Sequence, residues 1–270
     1  MRGTSRASLA AVQARWEPVL VAAGSDALTL AGEMFALVDA LDGTGALRRV
    51  LTDPSLEGAA KGTVVERLLA NADRRTVAAA RDLVAARWSA GADLAEAASE
   101  LGMSAALAAA ESTGTLRKVE EQLFDVTRAF VGQRELRRTL HDPTIPALAR
   151  ADLVDEIVGP DVEPATRLLL RRAAAAPRGR RFMAQLGDVI DLIAVRRNRR
   201  VATVTVAAPL DEAQRTRLSG VLAQALDRKV QLNVIVDPQV LGGLRVQSGS
   251  DVIDATVVGR LAEARRRLAG

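Results

Sequence analysis

The chain reads as a mainly α protein, with two tandem related helical bundles followed by a small α+β C-terminal domain. Three observations carry that reading. The stretch LRRVLTDP at 47–54 recurs as LRRTLHDP at 136–143, an offset of 89 with six of eight positions identical. The apolar residues upstream keep the offset and step by three or four, the stripe of an amphipathic helix. After Arg199-Arg200 the pattern turns to alternation, VATVTV at 201–206 and VQLNVIV at 230–236. The spans are 1–92 for the first repeat, 93–199 for the second, and 200–270 for the α+β tail. Two units of this length are a domain duplication, since solenoid repeats run roughly 20–50 residues.

Leu30, Met34, Phe35, Leu37 and Leu41 map at this offset onto Val119, Leu123, Phe124, Val126 and Phe130, giving one helix in each repeat. The turns Asp53-Pro54 and Asp142-Pro143 end the next helix, because proline disfavours an α conformation in the residue before it. Ser55 and Thr144 then stand as N-caps of a further helix, with Pro146 in its first turn. That helix carries Leu56, Ala60, Val64, Val65 and Leu69, matched by Ile145, Ala149, Leu153, Val154 and Val158. The match fades beyond Asn71. Segment 93–111 resembles both the opening helix 4–22 and the closing helix 182–199, so one helix can close the first bundle and open the second.

In the tail, strand 201–206 leads through Pro209-Leu210-Asp211 to a helix with Leu218, Val221, Leu222 and Ala225 on one face. Asp211 and Gln214 have capping-box spacing. Strand 230–236 follows, then an extended run from Leu244 to Val246. A turn at Ser248–Asp251 returns through Val252-Ile253, and a last helix spans 257–268.

Composition narrows the function. No cysteine is present, which removes thiol chemistry and cysteine-based zinc sites, and the one histidine, His141, would have to carry any imidazole chemistry alone. Aromatic residues are 2% with no tyrosine, a poor basis for stacking single-stranded nucleic acid. Lysine plus arginine exceed aspartate plus glutamate by 37 to 33, only a mild basic bias. No charge-free window exceeds the ten residues of 101–110, short of the ~18 that a membrane span needs. With no signal peptide visible after Met1, a soluble intracellular protein is expected.

No catalytic, cofactor or metal site emerges. His141 stands where the first repeat has Thr52, and a polar residue closing a turn accounts for both. Gly242-Gly243 lacks the Lys-Ser/Thr pair and the following helix of a phosphate loop, and reads as a strand interruption. Asp237 and Asp254 have no third polar partner and suit turn or cap duty. The arginine runs at 171–172, 178–181 and 196–200 could meet nucleic-acid phosphates, the alternative reading. The acidic residues Asp152, Asp155, Glu156, Asp161 and Glu163 stand close by to pair with them. Arg48-Arg49 and Arg137-Arg138 recur in both repeats, as a reused exposed edge would.

The run from Val236 to Leu268 resembles the closing signature of the delta subunits of F-type ATP synthases, the family of the mitochondrial oligomycin-sensitivity-conferring protein. The matching residues are Asp237, Pro238, Leu241, Gly242, Gly243, Leu244, Val246, Val252, Ile253, Asp254, Thr256, Gly259, Arg260 and Leu261. AAPLDEAQ at 207–214 and LRRTLHDPTIPALARADLVDEI at 136–157 are also similar to family segments. The chain departs from the family in its second helical copy and in lacking the usual Tyr-Ala opening.

The resemblance implies a non-catalytic stator subunit without a cofactor, peripheral at the cytoplasmic face of the membrane. It resists rotor torque during proton-driven ATP synthesis. The helical part would cap the catalytic head through N-terminal helices of the alpha subunits. The tail would hold the peripheral-stalk b subunits through Asp237, Pro238, Gly242, Gly243, Asp254, Gly259, Arg260 and Leu261. The second repeat, closer to the family pattern, is expected to keep the head-docking groove, with Leu136, Arg137, Asp142, Pro143, Leu153 and Val154 as its markers. The first repeat would add a stalk contact or stiffen the joint.

Overall fold

A computed structural model describes residues 1, 3–198, 201–207, 210–225, 231–236, 243–248 and 251–254. The chain divides into two units, Met1–Ile190 and Asp191–Gly270. The first is helical: α1 (Gly3–Ala23), a 3-10 turn (Gly24–Asp26), α2 (Ala27–Gly43), α3 (Gly45–Thr52), α4 (Gly58–Leu68), α5 (Arg74–Ala85), α6 (Gly91–Ser112), α7 (Leu116–Ala129), α8 (Arg134–His141), α9 (Ala147–Val158) and α10 (Pro164–Ala175). The unit boundary falls within α11 (Phe182–Asn198).

The offset of 89 recurs in the helix starts. α2 and α7, α3 and α8, and α4 and α9 each begin 89 residues apart (27 and 116, 45 and 134, 58 and 147), whereas α5 and α10 begin at 74 and 164. The repeat therefore continues beyond Asn71 with an offset lengthened by one residue. That slip hides the match from an ungapped comparison. Two part-buried polar ties occupy equivalent positions. Glu33 on α2 accepts hydrogen bonds from the Asp73 amide (2.9 Å) and the Thr76 hydroxyl (2.5 Å). Gln122 on α7 accepts from the Glu163 amide (3.0 Å) and the Thr166 hydroxyl (2.7 Å). Each tie gives the orphan amides at a helix N-terminus a partner from the neighbouring helix.

The two Asp-Pro turns also match, but by a different device from the expected N-caps. Asp53 accepts from the amide (2.8 Å) and hydroxyl (2.7 Å) of Ser55, and Asp142 from those of Thr144 (2.9 and 2.7 Å). The hydroxyls are thereby spent on the turn, and α4 and α9 start later, after Glu57 and Pro146. These bonds, hydroxyl first and amide second, hold both carboxyls below the usual aspartate range.

α6 is the centre of the first unit. It packs on α1, α2, α3 and α5, and also on α7 and α10. A helix buried on all sides needs small or apolar residues around its circumference. Leu94, Ala95, Ala97, Ala98, Leu101, Gly102 and 105–110 are accordingly all buried. The segment Gly3–Gly43 is long and apolar enough by composition to cross a membrane, but Leu9, Val12, Trp16, Leu20, Leu30 and Met34 are buried inside the bundle.

The second unit holds β1 (Val201–Val206), α12 (Glu212–Ala225), β2 (Gln231–Val236), β3 (Leu244–Ser248) and β4 (Asp251–Asp254) in a sheet ordered β2-β1-β3-β4. β1 and β2 are parallel, so the chain must cross over between them, and it does so through α12. The β1–β3 and β3–β4 pairs are antiparallel. Val204, Val206 and Leu222 are buried together, with Leu210, Leu218, Val234 and Leu244 against them. The capping box forms as its spacing predicts: the Asp211 amide donates to Gln214 Oε1 (3.0 Å) and the Gln214 amide to Asp211 Oδ1 (2.7 Å). Val221, expected on the buried face, is 55% exposed, while its neighbour Leu222 takes the core position.

Candidate docking surfaces

The best-defined surface in the first unit joins the two repeats. Phe35 on α2 is buried against Gly102 of α6, where an added Cβ would lie 2.6 Å from the ring edge. The guanidinium of Arg172, from α10, sits 5.0 Å from the Phe35 ring centroid and pairs with Asp39. Cation–π and ionic attraction thus act on one side chain. Beyond α10, Arg178 adopts a left-handed backbone (φ +50°), unusual for a residue with a Cβ. Its guanidinium pairs with Asp42 (2.8 Å) and donates to the carbonyl of Ala95 (2.9 Å). Arg180 pairs with Glu96 (2.6 Å) and Asp188 (2.7 Å). Burial, followed by the charge of Glu96, pushes the nearby Glu100 carboxyl above its ordinary range.

A second surface is open. Between α1 and α5 lies a groove with a cavity of about 270 Å³, floored by Val12, Trp16, Val19 and Ala79, with Arg15, Arg74, Arg75 and Asp82 among the rim residues. Trp16 is anchored from below, its indole N–H donating to the carbonyl of Leu101 (3.3 Å). Arg15 and Asp82 pair across the rim (2.6 Å). The corresponding place in the second repeat lies between α6 and α10, and α2 packs on both of these helices, with Phe35 against Gly102 and Arg172.

The head-docking markers are not gathered in either place. Leu136 and Arg137 lie on α8, Asp142 and Pro143 in the following turn, and Leu153 and Val154 on α9. Val154 is a buried core residue and Asp142 holds the turn through Thr144. Of the tail residues, Gly243 precedes β3 with φ +82°, a conformation glycine adopts without strain, and Asp254 ends β4 opposite Arg245. Asp237, Pro238, Gly242, Gly259, Arg260, Leu261 and the helix 257–268 lie outside the described residues.

Among the described residues, Arg171, Arg172, Arg178 and Arg180 of the arginine runs pair with carboxylates within the protein. Arg171 pairs with Asp152 and Asp155, Arg167 with Asp155, Arg172 with Asp39, and Arg178 and Arg180 with Glu96. His141 and Thr52 differ. Thr52 donates back to the carbonyl of Arg48 (2.8 Å), whereas His141 is exposed and lines a cavity. Among the described residues no group of three or more His, Cys, Asp or Glu side chains could hold a metal ion. The repeat-joining residues Phe35, Arg172 and Arg178 and the groove residues Val12, Trp16 and Val19 were not singled out from the sequence as contact residues. The one available signal was Trp16, the single aromatic residue of α1.

Comparison with known proteins gives a consistent result. The family model for the ATP synthase delta (OSCP) subunit matches residues 103–268. The chain is similar to the ATP synthase subunit delta of Beutenbergia cavernae, 49% identical with 100% of each chain covered. It is 43% identical to that of Kineococcus radiotolerans, covering 99% of this chain and 98% of the relative. Among solved structures it is similar to a chain of the Toxoplasma gondii mitochondrial ATP synthase hexamer. That likeness is 20% in identity with a TM-score of 0.34, over 62% of this chain and 95% of the other, and adds no weight.

Proposed function

Because the chain belongs to the ATP synthase delta (OSCP) subunit family, we propose that its helical unit caps the catalytic head by receiving an N-terminal helix of an alpha subunit, while its C-terminal unit holds the b subunits. The protein is a non-catalytic stator subunit of ATP synthase. As part of that complex it is membrane-associated and peripheral, and we place it on the cytoplasmic face. Its two repeats and its α+β tail are read as three folding regions, 1–92, 93–199 and 200–270, with α6 common to the first two. The family signature residues Asp237, Pro238, Gly242, Gly243, Asp254, Gly259, Arg260 and Leu261 are proposed to shape the stalk-binding tail.

One observation supports placing the head contact on the first repeat: the groove between α1 and α5 is open, whereas α2 packs on both α6 and α10, the helices that would form its counterpart. An amphipathic helix laid in such a groove buries its apolar face on Trp16 and Val19 and meets charged side chains at the rim. The second repeat, with Leu136, Arg137, Asp142, Pro143, Leu153 and Val154, is the competing site.

Calorimetry of an alpha-subunit N-terminal peptide against the full chain tests the choice. Ala78 is exposed at the groove, so Ala78→Glu leaves the core intact and should weaken binding at least about tenfold, a loss of roughly 1.4 kcal/mol. Unchanged binding by Ala78→Glu, with loss in Leu153→Glu, would move the contact to the second repeat.

A further inference from the structure

The two repeats differ most in chemistry at the end of their third helices, α3 and α8. In the second repeat a cavity of about 540 Å³ is lined by Arg134, Arg137, Arg138, His141 and Arg181, with Phe182 and Met183 as its apolar part. The first four are spaced i, i+3, i+4 and i+7 along α8 and so share one face, over roughly 10 Å of helix. Arg181 comes from the segment before α11. The ion pairs formed among the described residues include none of these four arginines, although their neighbours in sequence at 167, 171, 172, 178 and 180 are all paired.

The equivalent positions of the first repeat carry different side chains. Offset by 89, Arg134 and His141 replace Gly45 and Thr52, and Val131 replaces Asp42. Asp42 pairs with Arg48 (3.7 Å), the counterpart of Arg137. α6 opens with Gly91, which lies close against Arg48 and Thr52, while α11 opens with Phe182. Relative to these counterparts, the second repeat lacks the carboxylate of Asp42 and carries further cationic and hydrogen-bonding groups around its cavity.

We propose that this cavity binds a multiply charged phosphate group. Guanidinium forks match phosphate oxygens bidentately, and desolvated phosphate offsets several of them at once. A carboxylate brings one charge per group, so balancing four arginines within one cavity favours a di- or triphosphate over an acidic side chain. The volume falls within the range of about 300–1,000 Å³ typical of small-molecule sites, and Phe182 and Met183 give a ligand's apolar portion something to rest on. The same chemistry is offered by a free polyphosphate or nucleotide and by the head group of an anionic phospholipid.

The test is calorimetry of the full chain with inorganic tripolyphosphate at 0.15 M salt, beside flotation with vesicles of phosphatidylcholine containing cardiolipin. The double variant Arg134→Gln/Arg181→Gln should weaken tripolyphosphate binding at least tenfold. Arg6→Gln/Arg67→Gln removes the same charge from exposed positions of the first repeat and should change it less than twofold. Vesicle binding that the first pair alone abolishes would identify the lipid as the source, and its absence a soluble phosphate. Equal weakening by both pairs, no binding by the parent protein to either probe, or equal affinity for poly-glutamate would overturn the proposal.

Discussion

The two stretches of the helical unit that share an 89-residue spacing differ in what covers them. In the first, the ring at position 35 is buried between α6 and Arg172; in the second, its duplicate Phe124 is 44% exposed. Around Phe35 the first repeat carries Ala31 and Val38, both fully buried, where the second has Glu120 and Thr127. The helix face is apolar where α6 and α10 cover it and more polar at the equivalent positions of α7.

The largest effect should follow from removing that ring. Phe35→Ala takes away a buried aromatic and leaves Arg172 without its face, and it should destabilise by about 3–5 kcal/mol. Phe124→Ala, the same change at the duplicate position, should cost less than about 1 kcal/mol. Denaturant midpoints for the pair measure the difference directly. Equal losses would mean that Phe124 is covered in solution and that the repeats are more alike than they look.

The part-buried ties between α2 and α5 and between α7 and α10 sharpen the comparison. Glu33 is a carboxylate accepting two bonds, and Gln122 a neutral amide accepting two from the equivalent donors. Charge-assisted bonds are stronger, so Glu33→Ala should cost about 2–3 kcal/mol and Gln122→Ala about 1–2 kcal/mol. Glu33→Gln, which makes the first tie chemically like the second, should fall between wild type and Glu33→Ala in thermal melts.

Gly102 sets two effects against each other. Alanine in a helix interior is ordinarily better than glycine by about 0.5–1 kcal/mol. Here the new methyl would meet the Phe35 ring at 2.6 Å, and overpacking a core costs about 1–3 kcal/mol. Gly102→Ala should therefore destabilise. In a Phe35→Leu background, with the ring gone, the same substitution should lose most of its cost.

Much of this organisation was legible in the sequence, and what was not has physical reasons. The 89-residue spacing of the helix starts, the capping box at Asp211 and Gln214 and strand 201–206 all follow from spacing that local chemistry enforces. Ser55 and Thr144 were misread because an aspartate two residues earlier competes for the same amide and hydroxyl. The ties of Thr76 and Thr166 escaped notice because one inserted residue broke the offset just before them. The joint through Phe35, Arg172 and Arg178 was hidden for another reason. An arginine in a run carries no local mark that distinguishes a solvated charge from one laid over a ring more than a hundred residues away.

The smallest effect concerns the residues that open α5 and α10. Asp73 caps α5, accepting from the Arg75 amide (2.8 Å), and the Arg75 guanidinium beside it together with that amide holds its carboxyl at about 2, against an ordinary 3.8. A folded-state value below the unfolded one means that the group stabilises the fold fully above about pH 4 and that this contribution disappears as pH falls toward 2. Because the side chain is about one-third exposed, the contribution is at most about 1 kcal/mol. The melting temperatures of wild type and Asp73→Ala should differ at pH 7 and converge between pH 4 and 2. At the duplicate position Glu163 makes no such cap and instead pairs with Lys118 (2.7 Å), so Glu163→Ala should lack the cap-dependent part of that convergence. Parallel curves for Asp73→Ala and wild type across the acid range would show that the helix start is held by the Glu33 tie alone.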